Sequence, residues 1–217
     1  DMTLKTYFDG TCDSSLMTKG IEAYINIQNA CLNRIQDFKA CGVSEWLMPD
    51  YAALVKGATN SLGYLKVCGD AVDNDLLNSI QETADYIDGL GIPNSLNNCD
   101  FHDNNILISV ADQEVTIIDW GEVVITSPLM SRYCALEKLG AIYGLERDSA
   151  EYTSLEKSIT KDFDLDDITR HKMRALCNVY YALTYNQIIG LVGGDVPDTW
   201  YMRIKGGLDR YREMIRP

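Results

Sequence analysis

The sequence has few histidines, no paired cysteines and no long apolar run. Its two histidines, His102 and His171, argue against a zinc site. No stretch of the 217 residues approaches the roughly 18 consecutive apolar residues of a transmembrane helix. The first residues, DMTLKTYFDG, lack the basic start and apolar core of a signal peptide. Because the first residue is Asp rather than Met, we expect the chain to begin inside a longer gene product.

Basic residues are also scarce. The chain has 19 Lys and Arg against 32 Asp and Glu, which gives a net charge of −13. That balance argues against nucleic acid as a partner, because nucleic acid requires a basic surface. It permits a cationic small substrate, although an acidic solvated surface is the simpler explanation. The cysteines number seven, an odd count without a Cys-x-x-Cys pair, so we expect reduced thiols in a cytoplasmic protein.

Most of the chain has the apolar spacing of helices. Apolar residues recur at helical intervals between Leu16 and Phe38, and Gly42 follows as a stop signal. Shorter helices are predicted near Pro49 and from Asp73, a good N-cap. After residue 126, Ser127 predicts a cap, Pro128 the first turn and Gly144 the end of another helix. Further helices are predicted at about 149–160, 168–190 and 198–215, and KDFDLDD, just before Ile168, is predicted to be a solvated loop and helix cap.

The exception is the stretch NNCDFHDNNILISVADQEVTIIDWGE, residues 97–122. Its two short β-branched runs around ADQ predict a hairpin. With opposed residue numbers summing to about 225, Asn105 faces Trp120 and Ile106 faces Asp119. Asp100, Asn105 and Asp119 would then meet at the open end of the hairpin. Carboxylate and amide oxygens suit Mg²⁺, but a capped turn without metal explains the same residues equally well.

The order of these residues matches a known pattern. Asp-x-x-x-x-Asn, an apolar strand and Asp-x-Gly occur here as DFHDNN and DWG. The segment resembles the phosphotransferase family that includes aminoglycoside phosphotransferases and choline kinases. The resemblance implies that Asp100 is the catalytic aspartate, which orients and deprotonates the attacking hydroxyl. It also implies that Asn105 and Asp119 bind Mg²⁺ and hold it against the phosphates of the nucleotide.

The resemblance further implies a fold and a reaction. The fold would be mainly α with a small β-hairpin, the C-terminal lobe of a protein-kinase-like α+β phosphotransferase, as one domain over residues 1–217. The reaction would transfer the γ-phosphate of ATP or GTP to a hydroxyl of a small molecule. The helices around 16–60 and 150–215 should shape the substrate pocket.

Three residues depart from the family pattern. Asn98 stands where the family usually has His, Cys99 where it has Gly, and Ser131 where many relatives have Asp. An asparagine amide could form part of the hydrogen bonding that the histidine provides. These departures keep a second function open, that of a non-catalytic pseudoenzyme with a binding or regulatory role.

The remaining polar residues of the segment have simpler explanations. We expect His102 to be a loop residue that faces solvent or bonds backbone, and Trp120 to pack the hairpin against a helix. Glu122 fits a surface position as well as contact with metal or substrate. Asn97, Asn98 and Asn104 suit turn geometry without a function.

Two parts of a complete kinase are missing from the sequence. The residues before Asp100 contain no Gly-x-Gly-x-x-Gly, and their lysines lack a suitable strand context. We therefore expect the nucleotide-binding lobe to be absent from this chain and to lie upstream in the same protein. The chain alone should fold but should be inactive.

Overall fold

Helices make up most of the structure because polar caps precede stretches of helical apolar spacing. The computed structural model describes residues 1–216. Asp13, Asp73, Ser149 and Asp166 each accept a backbone N–H two or three residues later, which satisfies donors that a helix start leaves unpaired. The helices are α1 (Leu4–Phe8), α2 (Ser14–Cys31), α3 (Ile35–Ala40), α4 (Tyr51–Thr59), α5 (Leu62–Cys68), α6 (Asn74–Asp88), α7 (Leu129–Tyr143), α8 (Ala150–Ile159), α9 (Asp167–Val192) and α10 (Asp198–Ile215).

Most predicted helices are confirmed, with two corrections at their ends. The predicted segment from Leu16 to Phe38 is not one helix, because a 3₁₀ turn at Leu32–Arg34 separates α2 from α3. Ser127 is not the cap of α7. Pro128 occupies that position, and the Ser127 hydroxyl is buried without a hydrogen-bond partner among residues 1–216. Gly144 does end α7, in the left-handed conformation that glycine adopts without cost.

The β structure is more extensive than one hairpin. One antiparallel sheet has the order β1 (Met2–Thr3), β4 (Ile106–Ile108) and β5 (Val115–Ile117). A second has the order β2 (Ser44–Glu45), β6 (Val123–Thr126) and β3 (Ser95–Asn98), with β2 parallel and β3 antiparallel to β6. These strands have two to four residues each, too few to leave a periodic pattern in the sequence.

The hairpin is present, but its predicted register is wrong. Ile106 pairs with Ile117, not with Asp119, and the Asn105 carbonyl accepts the N–H of Ile118 at 2.9 Å. The turn has six residues, 109–114, with Gln113 in the left-handed region at φ 59°. Its centre therefore lies earlier than expected, and Asp119 falls two residues beyond the end of β5.

One continuous apolar core includes residues from Leu4 to Tyr211. The long helix α9 packs against both α7 and α10. The approach of α10 depends on Gly207, since a Cβ there would lie 2.7 Å from the Asn178 carbonyl of α9. Within residues 1–216, no helix combines the length and the apolar character needed to cross a membrane.

Candidate active site

The three residues of the motif lie where short strands end. Asp100 follows β3 by two residues, and a 3₁₀ turn, Asp103–Asn105, leads into β4. Because β4 and β5 are antiparallel, the start of β4 and the end of β5 lie at the same end of the hairpin. The Asn105 amide nitrogen donates to the Asp100 carbonyl at 2.9 Å and to its carboxylate at 3.1 Å. Asp100 and Asn105 are thus in direct contact.

Asn98 joins this pair to Asp119. Its side-chain oxygen accepts the Asp100 N–H at 2.8 Å, and its side-chain nitrogen donates to the Asp119 carbonyl at 2.7 Å. The prediction that Asn97 and Asn98 occupy turns is wrong, because both are fully buried in β3. Asn98 instead fixes the two halves of the motif relative to each other.

At the end of the hairpin where Asp100, Asn105 and Asp119 lie, a corner of the molecule, two oxygen-bearing groups have no hydrogen-bond donor among residues 1–216. The Asn105 side-chain oxygen and the Asp119 carboxylate accept no hydrogen bond from any residue in the range 1–216. Asp119 is exposed and has a left-handed backbone, with φ 58°. In the described part of the chain, no three His, Cys, Asp or Glu side chains converge as a metal site of their own. An amide oxygen and one carboxylate, completed by water and phosphate, are the ligands that suit Mg²⁺.

The Asp100 carboxylate is held in its charged form. Lys138 of α7 donates to it at 3.1 Å, and a ring nitrogen of His102 lies 3.3 Å away. Burial favours the neutral acid, but the hydrogen bond with His102 and the charge of Lys138 outweigh it and lower the pKa of Asp100 to about 2. Nothing in the sequence around Lys138 indicates this contact, because it joins residues 38 positions apart.

Of the two places expected for His102, the structure shows the second, because its Nδ1 accepts the backbone N–H of Asn104 at 3.2 Å and the side chain does not face solvent. Its ring is largely buried and lies between two carboxylates, with Asp103 3.1 Å from its other nitrogen. Burial opposes the charged imidazolium, but both carboxylates stabilise it, so the pKa of His102 is raised. Asp103 is fully buried and also accepts the Tyr143 hydroxyl. His102 therefore connects Asp100 to an anchored acid.

A buried polar network lies behind β3. The Asn97 side-chain oxygen accepts from Gln28 at 3.1 Å and from the Ser131 hydroxyl at 2.6 Å. Arg132, buried to 1% exposure, donates to Gln28 at 2.7 Å. The Tyr24 hydroxyl bonds Ser131 at 2.9 Å and accepts the backbone N–H of Asn98 at 2.7 Å. The network thus supports the strand that carries the motif.

Two further residues of the motif segment have defined places. Trp120 packs the hairpin against α2, as expected, with its ring 5.9 Å from that of Tyr24. Glu122 is half-buried, and burial together with the charges of Asp100 and Asp119 raises its pKa. Glu122 is therefore close enough to feel the charges of both Asp100 and Asp119.

A cavity of about 260 Å³ opens beside Asp100. Its wall includes Lys138 of α7, Tyr181 and Tyr185 of α9 and Arg203 of α10. Residues of the range 150–215 line this cavity, and no residue of the range 16–60 is among its lining residues. Which residues shape the substrate pocket stays a prediction.

Comparison with known proteins identifies the fold. No family model and no curated protein matches the chain. Three solved structures are similar: an ethanolamine kinase from Plasmodium vivax (14% identity, TM-score 0.52), a choline kinase from Streptococcus pneumoniae (14%, 0.56) and a choline/ethanolamine kinase family protein from Mesorhizobium loti (13%, 0.54). They align with 77%, 94% and 100% of this chain. The chain spans 49%, 66% and 65% of their respective lengths.

These similarities confirm a mainly α, protein-kinase-like fold. The TM-scores of 0.52–0.56 establish the fold, whereas the identity of 13–14% leaves the substrate and the catalytic activity to be argued from the site.

Proposed function

We propose that the chain is the C-terminal lobe of a phosphotransferase that moves the γ-phosphate of ATP or GTP to a hydroxyl of a small molecule. One observation supports this above all others. The Asn105 amide is bonded to Asp100 while its own oxygen and the Asp119 carboxylate remain open. That arrangement keeps a carboxylate for the acceptor hydroxyl and two ligand groups for a cation.

In this proposal Asp100 positions the acceptor. A carboxylate whose pKa is lowered to about 2 is ionised at neutral pH and accepts a hydrogen bond from a hydroxyl. Lys138 and His102 each bond the carboxylate and restrict its orientation. Positioning accounts for much of the rate in phosphoryl transfer, because the reaction requires little covalent chemistry from the protein.

Asn105 and Asp119 would hold Mg²⁺. When bound, the ion would neutralise charge on the nucleotide phosphates. Asn98 bonds the backbone of Asp119 and of Asp100, and Asp100 in turn accepts the Asn105 amide. The corner thus presents ligand groups without requiring the loop to rearrange.

The nucleotide would also contact a second lobe, which we propose lies upstream in the same cytoplasmic protein. The coverage of 49–66% of the similar structures agrees with a chain that is one lobe. Without a phosphate-binding loop and lysine, nucleotide would lose two or three charge-assisted hydrogen bonds of roughly 1.5–3 kcal/mol each. We therefore expect this chain alone to melt cooperatively, without stabilisation by millimolar ATP or GTP and Mg²⁺.

The experiment is a transfer assay on the complete gene product with radiolabelled ATP and GTP. Asp100→Asn should reduce turnover by about 10²–10⁴-fold and leave nucleotide binding intact, because Asp100 contacts the acceptor. Asp112→Asn is the matched control, since Asp112 lies exposed in the hairpin turn.

Turnover like the wild type in Asp100→Asn would contradict the assignment. A wild-type protein that binds nucleotide and Mg²⁺ but transfers no phosphate to any acceptor would instead indicate a binding or regulatory module. The departures at Asn98 and Ser131 are the observations that favour this second function.

A further inference from the structure

The cavity beside Asp100 is basic, although the chain as a whole is strongly acidic. Among residues 1–216, Asp100 is the single acidic residue that lines it, and Lys138 and Arg203 are basic. A neighbouring cavity of about 340 Å³ shares Lys138 and Tyr181 and adds Arg210. Cations therefore outnumber anions on these walls in a chain of net charge −13.

The one further acid on these walls is already neutralised. Glu137 lines the neighbouring cavity and accepts hydrogen bonds from Arg147 at 2.7 Å and from the Tyr152 hydroxyl at 2.6 Å. Its charge is paired away from Arg210 and therefore does not offset the charge of that side chain. Lys138 is already paired with Asp100 at 3.1 Å, so the unpaired positive charge on these walls comes from Arg203 and Arg210.

The two arginines have no acidic partner. Among residues 1–216, no carboxylate lies within 4.0 Å of the Arg203 or Arg210 guanidinium groups. Arg203 donates to the Tyr181 hydroxyl at 3.0 Å, and Arg210 to the Asn178 side-chain oxygen at 3.0 Å. Most of their five N–H donors therefore remain available to a ligand.

The aromatic side chains of the cavity are also occupied. Arg203 lies over the Tyr185 ring at 5.2 Å, and Arg210 over the Tyr181 ring at 5.2 Å. An ammonium ligand is usually recognised by the faces of such rings. Here the protein's own guanidinium groups use those faces and would repel a second cation. The whole-chain charge permits a cationic substrate, whereas the local charge beside Asp100 opposes one.

We propose that the acceptor carries an anionic group, such as a sulfonate, carboxylate or phosphate, that binds Arg203, with its hydroxyl at Asp100. This rests on the proposed function. In the reaction, the hydroxyl oxygen forms a bond to the γ-phosphorus of the nucleotide. The bond from that phosphorus to the β–γ bridging oxygen breaks, and the nucleoside diphosphate leaves with the electron pair. The hydroxyl proton passes to Asp100.

The test compares two acceptors that share a 2-hydroxyethyl group and differ in charge. Isethionate carries a sulfonate and choline a trimethylammonium. Their binding to this chain is followed by isothermal titration and by saturation-transfer NMR, at low salt. We expect isethionate to bind in the millimolar range and choline not to bind. Glycolate and 2-hydroxyethyl phosphate, tested in the same way, distinguish a carboxylate from a phosphate as the preferred anion.

Arg203→Gln should weaken isethionate binding about tenfold, the effect of losing one charge-assisted hydrogen bond of roughly 1.5 kcal/mol. Arg34→Gln is the matched control, because Arg34 is exposed, pairs with Asp37 and does not line either cavity. Choline binding as tight as isethionate, no isethionate binding, or binding unchanged in Arg203→Gln would each overturn the inference.

The outcome is separable from that of the proposed function. Asp100→Asn should remove transfer in the complete gene product, while the isethionate binding that remains should still depend on Arg203. Transfer to choline that is insensitive to Arg203→Gln would overturn the anionic acceptor and leave the kinase assignment intact. Isethionate binding that depends on Arg203, without transfer to any acceptor, would overturn the kinase assignment and leave the anion site.

Discussion

The two faces of strand β3 carry adjacent asparagines with opposite roles. Asn97 is directed into the buried network, where its oxygen and nitrogen bond Gln28, Ser131 and the backbone of Thr126. Asn98 is directed towards the motif, where it bonds the backbone of Asp100 and Asp119. Alternate residues of a strand lie on opposite faces, so one step along the chain separates the two environments.

The two faces differ in how fully their polar atoms are hydrogen-bonded. On the Asn97 side, buried polar atoms have partners, so removing one leaves another buried and unpaired. On the Asn98 side, the Asn105 oxygen and the Asp119 carboxylate are left for a ligand. We therefore expect changes on the buried face to cost mainly stability, and changes on the open face to cost mainly function.

The largest effect on stability is expected at Arg132. Arg132→Met keeps much of the side-chain volume but leaves the Gln28 oxygen and the Ile159 carbonyl without their donor. Each buried acceptor left without a donor costs about 1–3 kcal/mol. Part of this loss is offset, because the variant no longer has to bury a charged guanidinium group. We expect a loss of about 3 kcal/mol in the free energy of unfolding, measured by urea denaturation.

Arg34→Met serves as the control for this change. Arg34 is exposed and pairs with Asp37, three residues along the chain. Arg34→Met should therefore change the free energy of unfolding by no more than about 0.5 kcal/mol. Equal stability of the Arg132 and Arg34 variants would show that the buried network contributes nothing net to the fold.

A smaller loss is expected at Tyr24, which contacts both faces. Tyr24→Phe keeps the stacking on Phe101, with ring centroids 3.9 Å apart, and removes only the hydroxyl. The buried N–H of Asn98 and the Ser131 hydroxyl then lose a partner. We expect about 2 kcal/mol of destabilisation in denaturant unfolding. A Tyr24 variant as stable as the wild type would indicate that water replaces the hydroxyl.

The helical body could be predicted from the sequence because its signals are local. Asp73, Asp166 and Gly144 end or begin helices through contacts within a few residues. The two sheets could not be predicted, since strands of two to four residues are held by pairing with distant segments. The predicted hairpin register was wrong because the six-residue turn, 109–114, is centred about one residue earlier than expected.

At the candidate site, the motif residues could be predicted from the sequence, but the residues that hold them in position could not. The order of Asp100, Asn105 and Asp119 is visible as a pattern. Lys138 contacts Asp100 from 38 residues away, and Tyr24 contacts Asn98 from 74 residues away. Contacts of this kind follow from the packing of α2 and α7 around β3. That packing cannot be predicted from the local spacing of residues in the sequence.

A third variant, Asn98→Ala, tests the connection between the faces. It removes the hydrogen bonds to the Asp100 N–H and the Asp119 carbonyl, both of which lie at a partly solvated corner. We expect a stability loss of about 1 kcal/mol, because water can replace part of the bonding. In the complete protein, the rate of phosphate transfer should fall by more than the loss of folding stability alone explains. Retained turnover in Asn98→Ala would show that the asparagine does not position the motif.

The smallest effect on stability is expected at Asp119, where only function should be lost. Asp119→Asn keeps the backbone carbonyl that Asn98 bonds, and asparagine tolerates the left-handed conformation as well as aspartate does. Because the carboxylate is exposed and accepts no hydrogen bond from residues 1–216, the free energy of unfolding should change by no more than about 0.5 kcal/mol. Cation binding should nevertheless fall, since the charged ligand is gone. Mn²⁺ should broaden the amide NMR signals of Asn105 and Ile118 in the wild type and in Asp112→Asn, and much less in Asp119→Asn. Equal broadening in all three proteins would place the cation elsewhere, whereas a stability loss above about 1 kcal/mol would show that the open face also supports the fold.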